Sequence, residues 1–143
     1  MSTSARVDIL SRSETFGGVP RAELALLADM MRVEVFPAGT LVFEAGEPAD
    51  AIYVVSSGVL SVLVGQPPTP VRQLREGAVL GEYAMFVGHV RTATVRAESE
   101  CELLSLDYER FHAYLHRFPA ATWKLLDVTV RRLVAAESRR GGA

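Results

Sequence analysis

The chain has 143 residues, with 15 basic against 17 acidic side chains and a net charge of −2. A chain of that length buries roughly 68–70 % of its unfolded surface in one domain, its charge balance leaves no electrostatic footprint for nucleic acid, and apolar runs such as Ala51–Val55 are far too short to span a membrane. A single cysteine, Cys101, excludes an internal disulfide or a thiolate cluster, and Met1–Arg6 lacks the basic-then-apolar pattern of a signal peptide, so a reducing cytoplasm is the expected setting.

Residues 1–32 read as a helical N-terminal segment. A short helix is expected near Val7–Ser11, with Phe16 as a further anchor. Pro20 opens a second helix from the first helical position. Leu24, Leu27, Ala28 and Met31 fall at i, i+3, i+4 and i+7 along it, one apolar stripe.

From 33 to 106 the period becomes that of strands. Val33 and Val35 alternate with Arg32 and Glu34, and Pro37-Ala-Gly39 turns the chain into Thr40–Glu44. Ala51–Ser56 and Val59–Val64 flank the hairpin-type turn Ser57-Gly58. The segment Gly65–Pro70 carries three prolines and is expected as a surface loop. Val71–Arg75, Val79-Leu80, Thr92–Ala97 and Glu102–Leu106 complete the strands, a spacing that suits a small antiparallel roll or barrel.

Residues 107–138 return to helix. Asp107 is placed to cap a helix beginning at Tyr108, with Phe111, Tyr114 and Leu115 on its apolar face. Pro119 opens the last helix, expected to reach about Ser138. Along it Trp123, Leu126, Val130, Leu133 and Val134 make a narrow heptad-like seam, which suits either packing on the chain's own domain or a helix-to-helix homodimer. Arg131, Arg132, Arg139 and Arg140 read as a solvated basic face or tail. Five residues follow Ser138, too few for a helix-turn-helix, so no DNA-reading module is expected.

The stretch with the most chemistry is 77–96. Glu82 follows Gly81 at the end of an apolar run, and Arg91 opens the strand-like run Arg91-Thr-Ala-Thr-Val95. If Ala84–Val87 forms one helical turn, its first amides are free to meet an anion. Ala84 and Ala93 are small enough for another molecule to approach the backbone. Arg91 supplies a charge-assisted fork suited to phosphate, and an ionised Glu82 accepts only, which suits a ribose hydroxyl. Together these residues read as a site for a sugar phosphate of little net charge.

Gly81-Glu82-Tyr83-Ala84-Met85 and Arg91-Thr92-Ala93-Thr94-Val95, at their fixed separation, resemble the phosphate-binding cassette of cyclic nucleotide-binding domains. That family includes regulatory subunits of cAMP-dependent protein kinase, cyclic-nucleotide-gated channels and the bacterial catabolite activator protein. The resemblance runs from about Phe36 to Ala135. It implies a mainly β fold, a jelly-roll of about eight strands with flanking helices at both ends. It also implies that Glu82 takes the ribose 2′-hydroxyl and Arg91 an exocyclic phosphate oxygen. The amides near Ala84 and Met85 would cradle the phosphate, and Thr92 and Ala93 would close it from the strand side. The last helix would act as a lid over the base, through Trp123 or a residue one or two turns later. Thr92 in place of alanine resembles members that accept cGMP through its hydroxyl, but cAMP is the first expectation.

Nothing in the pattern argues for catalysis. His112 and His116 stand four apart on one helix face without Glu or Cys partners and read as surface residues; His89 is given no catalytic task, and no metal is expected. The expected function is a stand-alone cyclic nucleotide sensor that moves its last helix against an unknown protein partner. The alternatives are a ligand-free interaction or dimerisation module, and an enzyme acting on a cyclic nucleotide.

Overall fold

A computed structural model describes residues 1–139. Two helices, α1 (Thr3–Arg12) and α2 (Arg21–Met30), precede the strands β1 (Arg32–Phe36), β2 (Leu41–Phe43), β3 (Ala51–Ser57), β4 (Leu60–Val64), β5 (Thr69–Leu74) and β6 (Val79–Leu80). A one-turn helix α3 (Tyr83–Phe86) leads to β7 (Thr94–Ala97) and β8 (Cys101–Asp107), and the chain closes with α4 (Tyr108–Arg117) and α5 (Pro119–Arg139).

The eight strands form two four-stranded antiparallel sheets, ordered β1-β8-β3-β6 and β2-β7-β4-β5. This is the expected mainly β jelly-roll with helices at both ends. Its core has two compartments, and the side-chain period of two separates them. Val55, Leu60, Leu80, Val95, Ala97 and Leu103 fill the space between the sheets. Ile52 and Val54 of β3 and Leu104 and Leu106 of β8 face the other way, onto Leu10, Leu24, Leu27, Phe111 and Leu125 of the helices. Both faces of these two central strands are therefore covered, which is why they read as nearly unbroken apolar runs.

Several local expectations are corrected. The first helix is longer than Val7–Ser11, because the Ser2 hydroxyl accepts from the Ala5 amide at 3.0 Å and starts it earlier. Pro20 stands at the cap position of α2, not at its first helical residue. Within the expected loop Gly65–Pro70, Thr69 and Pro70 belong to β5: that strand pairs only with β4, and the register slips beside Pro70, so a missing amide is tolerated there. Arg91–Ala93 lies outside β7. Instead the Arg91 amide donates to the Glu47 carbonyl and the Arg91 carbonyl accepts from the Gly46 amide, each at 2.9 Å, which pins the segment to the β2–β3 connection.

Asp107 caps α4 by accepting from the Arg110 amide at 2.8 Å. On α5 the face toward the domain is Ala121, Leu125 and Val128. The seam is not covered by the chain's own domain, for Trp123 is 70 % exposed and Leu133 61 %. Arg140 lies outside the described residues.

Candidate functional site

A tight turn at Gly81 builds the site. Its φ is +87°, and a Cβ there would sit 2.6 Å from Nη1 of Arg91 and 3.0 Å from the Ala51 carbonyl oxygen. Glycine is required both by the conformation and by the guanidinium packed against it. The turn delivers Glu82 to the head of α3 with only 3 % of its surface exposed.

Arg91 is 5 % exposed. Its Nη1 donates to the Ala51 carbonyl at 3.0 Å and to the Tyr108 hydroxyl at 3.2 Å, with the Gly81 carbonyl a marginal third acceptor at 3.5 Å. Tyr108 Oη donates in turn to the Gly81 carbonyl. The guanidinium carbon lies 4.1 Å from the centre of the Phe43 ring, a cation–π contact. Among the described residues no carboxylate pairs with this buried cation. Its Nη1 is spent on the protein, and the other edge of the fork has no acceptor among the described residues.

Glu82 is the complementary charge, and it faces the same cavity. That cavity measures about 100 Å³ and is lined by Gly81, Glu82, Tyr83, Ala84, Arg91, Thr92 and Ala93, with Phe43, Arg72, Leu80 and Val95 among the remaining walls. Arg132 of α5 approaches Glu82 Oε1 at 3.3 Å, while Oε2 is buried without a partner. Burial pushes the Glu82 carboxyl above the usual carboxylate range, its own backbone amide holds the rise back, and Arg132 and then Arg72 act in the same direction.

Seven of the eight expected residues line one cavity. Met85, expected to contribute its amide, packs its side chain against the helix-side core and is absent from the lining. Its amide is also engaged, donating to the Glu82 carbonyl at 3.2 Å. The amides of Tyr83 and Ala84, at the start of the turn, have no acceptor four residues back within it.

Three side chains escaped the sequence reading. Arg72 reaches the cavity from β5, Tyr108 holds the guanidinium from α4, and Arg132 crosses from α5 to Glu82. For Arg132 a signal existed. Ala121, Leu125, Val128 and Arg132 stand at i, i+4, i+7 and i+11, so Arg132 continues the stripe that faces the domain and does not belong to a solvated run. His89 takes a left-handed φ of 54°, and its exposed ring stacks on Tyr108 at 5.8 Å. His112 and His116 are exposed.

Comparison with known proteins adds four findings. The model of the family described as "Cyclic nucleotide-binding domain" matches residues 33–118. The human potassium/sodium hyperpolarization-activated cyclic nucleotide-gated channel 3 is 36 % identical over 105 residues, covering 73 % of this chain and 13 % of the channel. The CRP-like cAMP-activated global transcriptional regulator of Mycobacterium tuberculosis is 29 % identical over 131 residues, 88 % of this chain and 58 % of the regulator. Among solved structures, the regulatory domain of Toxoplasma gondii PKA with cAMP superimposes with a TM-score of 0.77 at 25 % identity, covering 91 % of this chain and 50 % of that one. The chain therefore spans about half, or much less, of the length of these relatives.

Proposed function

The chain belongs to the cyclic nucleotide-binding domain family, and from that premise we propose that it binds a 3′,5′-cyclic nucleotide, cAMP first, in the cavity between Glu82 and Arg91. The observation that carries this reading is the meeting of one buried carboxylate and one buried guanidinium on a single small cavity, each with ligand-facing capacity left over. Arg91 would pair through its free edge with an exocyclic phosphate oxygen, beside the Tyr83 and Ala84 amides. Glu82 would accept the ribose 2′-hydroxyl, and Thr92 and Ala93 would close the phosphate side. The carboxylate and guanidinium act as binding groups in this reading, without chemistry on the ligand.

cAMP is supported by the relatives whose names carry it. One observation favours cGMP as a second reading. Arg72 lines the cavity, and a guanidinium donates only, matching the N7 and O6 acceptors on one edge of guanine but meeting the amino group of adenine. Calorimetric titration of cAMP and cGMP into the wild type and Thr92→Ala decides between them. Absence of heat for either nucleotide at high micromolar concentration removes the reading and favours a ligand-free interaction module, whose Tm is indifferent to nucleotide.

The regulatory output proposed is a shift of α5, sensed in the cytoplasm by a protein partner or by a second copy of the chain. Trp123, Leu126, Val130 and Leu133 repeat at steps of three and four on the exposed face of α5, the pattern that pairs one helix with another like itself. Leu133→Asp is expected to convert a sedimenting dimer to a monomer; a wild type that sediments as a monomer excludes the second copy.

A further inference from the structure

We propose that Tyr108 is a positioning residue for phosphate recognition: its hydroxyl bridges the Gly81 turn and Arg91 and holds the guanidinium in one orientation at the cavity. The inference rests on the reading of Arg91 given above and extends it to the junction between β8 and α4. Three observations carry it. Tyr108 Oη lies 3.2 Å from Nη1 of Arg91 and donates to the Gly81 carbonyl, so one oxygen joins the turn to its cation. Nη1 also donates to the Ala51 carbonyl at 3.0 Å, while the Tyr108 amide donates to the adjacent Asp50 carbonyl at 2.8 Å. Both halves of the clamp thus hang from consecutive carbonyls at the entry to β3. Among the described residues, finally, no carboxylate pairs with Arg91, so neutral groups alone hold it.

A guanidinium carries its N–H groups in one rigid plane, so fixing both protons of Nη1 fixes the direction of all the others. The Ala51 carbonyl and the Tyr108 hydroxyl are the two close acceptors of Nη1, and the Phe43 ring lies 4.1 Å from the guanidinium carbon. A phenol hydroxyl has one proton and two lone pairs, and donating to Gly81 leaves it free to accept from Arg91. Burial pushes the Tyr108 phenol up, with the Arg91 charge opposing, so the hydroxyl keeps that proton at neutral pH. The Tyr108 ring is backed by the stacked ring of His89 at 5.8 Å. His89 is pinned in turn: its amide donates to the Ala84 carbonyl and its carbonyl accepts from the Ala49 amide, each at 2.8 Å. A carboxylate would neutralise the cation while holding it. Carbonyls and a phenol hold it and leave its charge for an arriving anion. An arginine set in advance toward one phosphate oxygen also loses little freedom on binding.

The test uses the pair of phosphorothioate diastereomers of cAMP, in which sulfur replaces one or the other exocyclic oxygen. A wild type that holds Arg91 in one orientation should bind one diastereomer about tenfold or more tighter than the other, since sulfur is the weaker acceptor. Tyr108→Phe keeps the ring and removes the hydroxyl. It should weaken cAMP about tenfold and bring the diastereomers within about threefold of each other, because a guanidinium free to turn finds whichever oxygen is present. A merely structural role would weaken both alike and leave their ratio unmoved. In parallel, NMR of the unliganded protein reads rotation of the Arg91 guanidinium about its Cζ–Nη1 bond, the signal being assigned by its loss in Arg91→Ala. Rotation should be slow in the wild type and about tenfold faster in Tyr108→Phe. An unchanged diastereomer ratio, an unchanged rotation rate, or a wild type whose Arg91 already rotates freely overturns the inference. If the wild type binds no cyclic nucleotide, the functional reading falls by itself and the rotation rate alone decides the clamp: faster rotation in the variant upholds it, an equal rate overturns it.

Discussion

Replacing Arg91 by alanine separates the two jobs this side chain does. Its Nη1 is bound to the Ala51 carbonyl and the Tyr108 hydroxyl, so only the remaining edge of the fork is available to a phosphate. Two charge-assisted bonds from that edge, at the low end because the cation already shares its charge with protein acceptors, are worth about 3–4 kcal/mol. At about 1.4 kcal/mol per tenfold, Arg91→Ala should weaken cAMP binding by two to three orders of magnitude. The effect on the empty protein is a balance of opposing quantities. The Ala51 carbonyl loses a donor, a loss of about 1–3 kcal/mol, and Phe43 loses a cation worth about 0.5–2 kcal/mol. Against this, a buried charge without a carboxylate partner disappears, a relief of several kcal/mol by order of magnitude. The Tm of the unliganded variant should therefore stay within about 5 °C of the wild type. Calorimetry measures the first quantity and scanning fluorimetry the second. Arg91→Lys should fall between, keeping the charge and losing the fork. A variant that binds within threefold of the wild type would show that the phosphate lies elsewhere and refute the reasoning.

Three further outcomes follow from the same geometry. Burial raises the Glu82 pKa, so the carboxyl binds its proton more tightly in the folded than in the unfolded chain; the stability this contributes is fully present below the ordinary value and is lost as pH rises through the raised one. Glu82→Gln should thus gain Tm over the wild type between acid and neutral pH, while its cAMP affinity falls about tenfold. Gly81→Ala forces a Cβ against Arg91 Nη1 at a φ of +87°, and should destabilise the fold by about 1–3 kcal/mol in chemical denaturation. It should also weaken cAMP, because the guanidinium must move. Tyr114 donates to the Glu23 carbonyl at 2.9 Å, and burial pushes its phenol up to about 12. Wild-type stability should hold up to pH 10 and decline as pH approaches that value, and Tyr114→Phe should flatten the alkaline decline.

The sequence disclosed the roll and the cassette for a common reason: both are written in local rules. Period-two runs with glycine turns mark the strands, Asp107 marks a helix start, and the spacing of Glu82 and Arg91 is set by one helical turn and its return loop. What stayed hidden depends on contacts between distant segments. Arg72, Tyr108 and Arg132 come from three elements to the cavity wall, to Arg91 and to Glu82 respectively, and no local pattern reveals that they converge. The α5 seam illustrates the opposite failure. Periodicity found an apolar face correctly, but could not say that Ala121, Leu125 and Val128 already supply the face toward the domain. Spacing likewise could not say that the Met85 side chain turns to the core while its neighbours Tyr83 and Ala84 line the cavity.

Pro70 has a consequence beyond the site. β5 is the last strand of its sheet, its outer rim is open, and Val71 beside Pro70 is exposed. A rim of unpaired amides and carbonyls next to an apolar side chain is a template on which another extended chain can grow. Proline interrupts this edge strand where the register already slips, and the outer strands β2 and β6 are only three and two residues long. A short or interrupted margin of this kind offers less of a template for edge-to-edge growth than a long, continuous one.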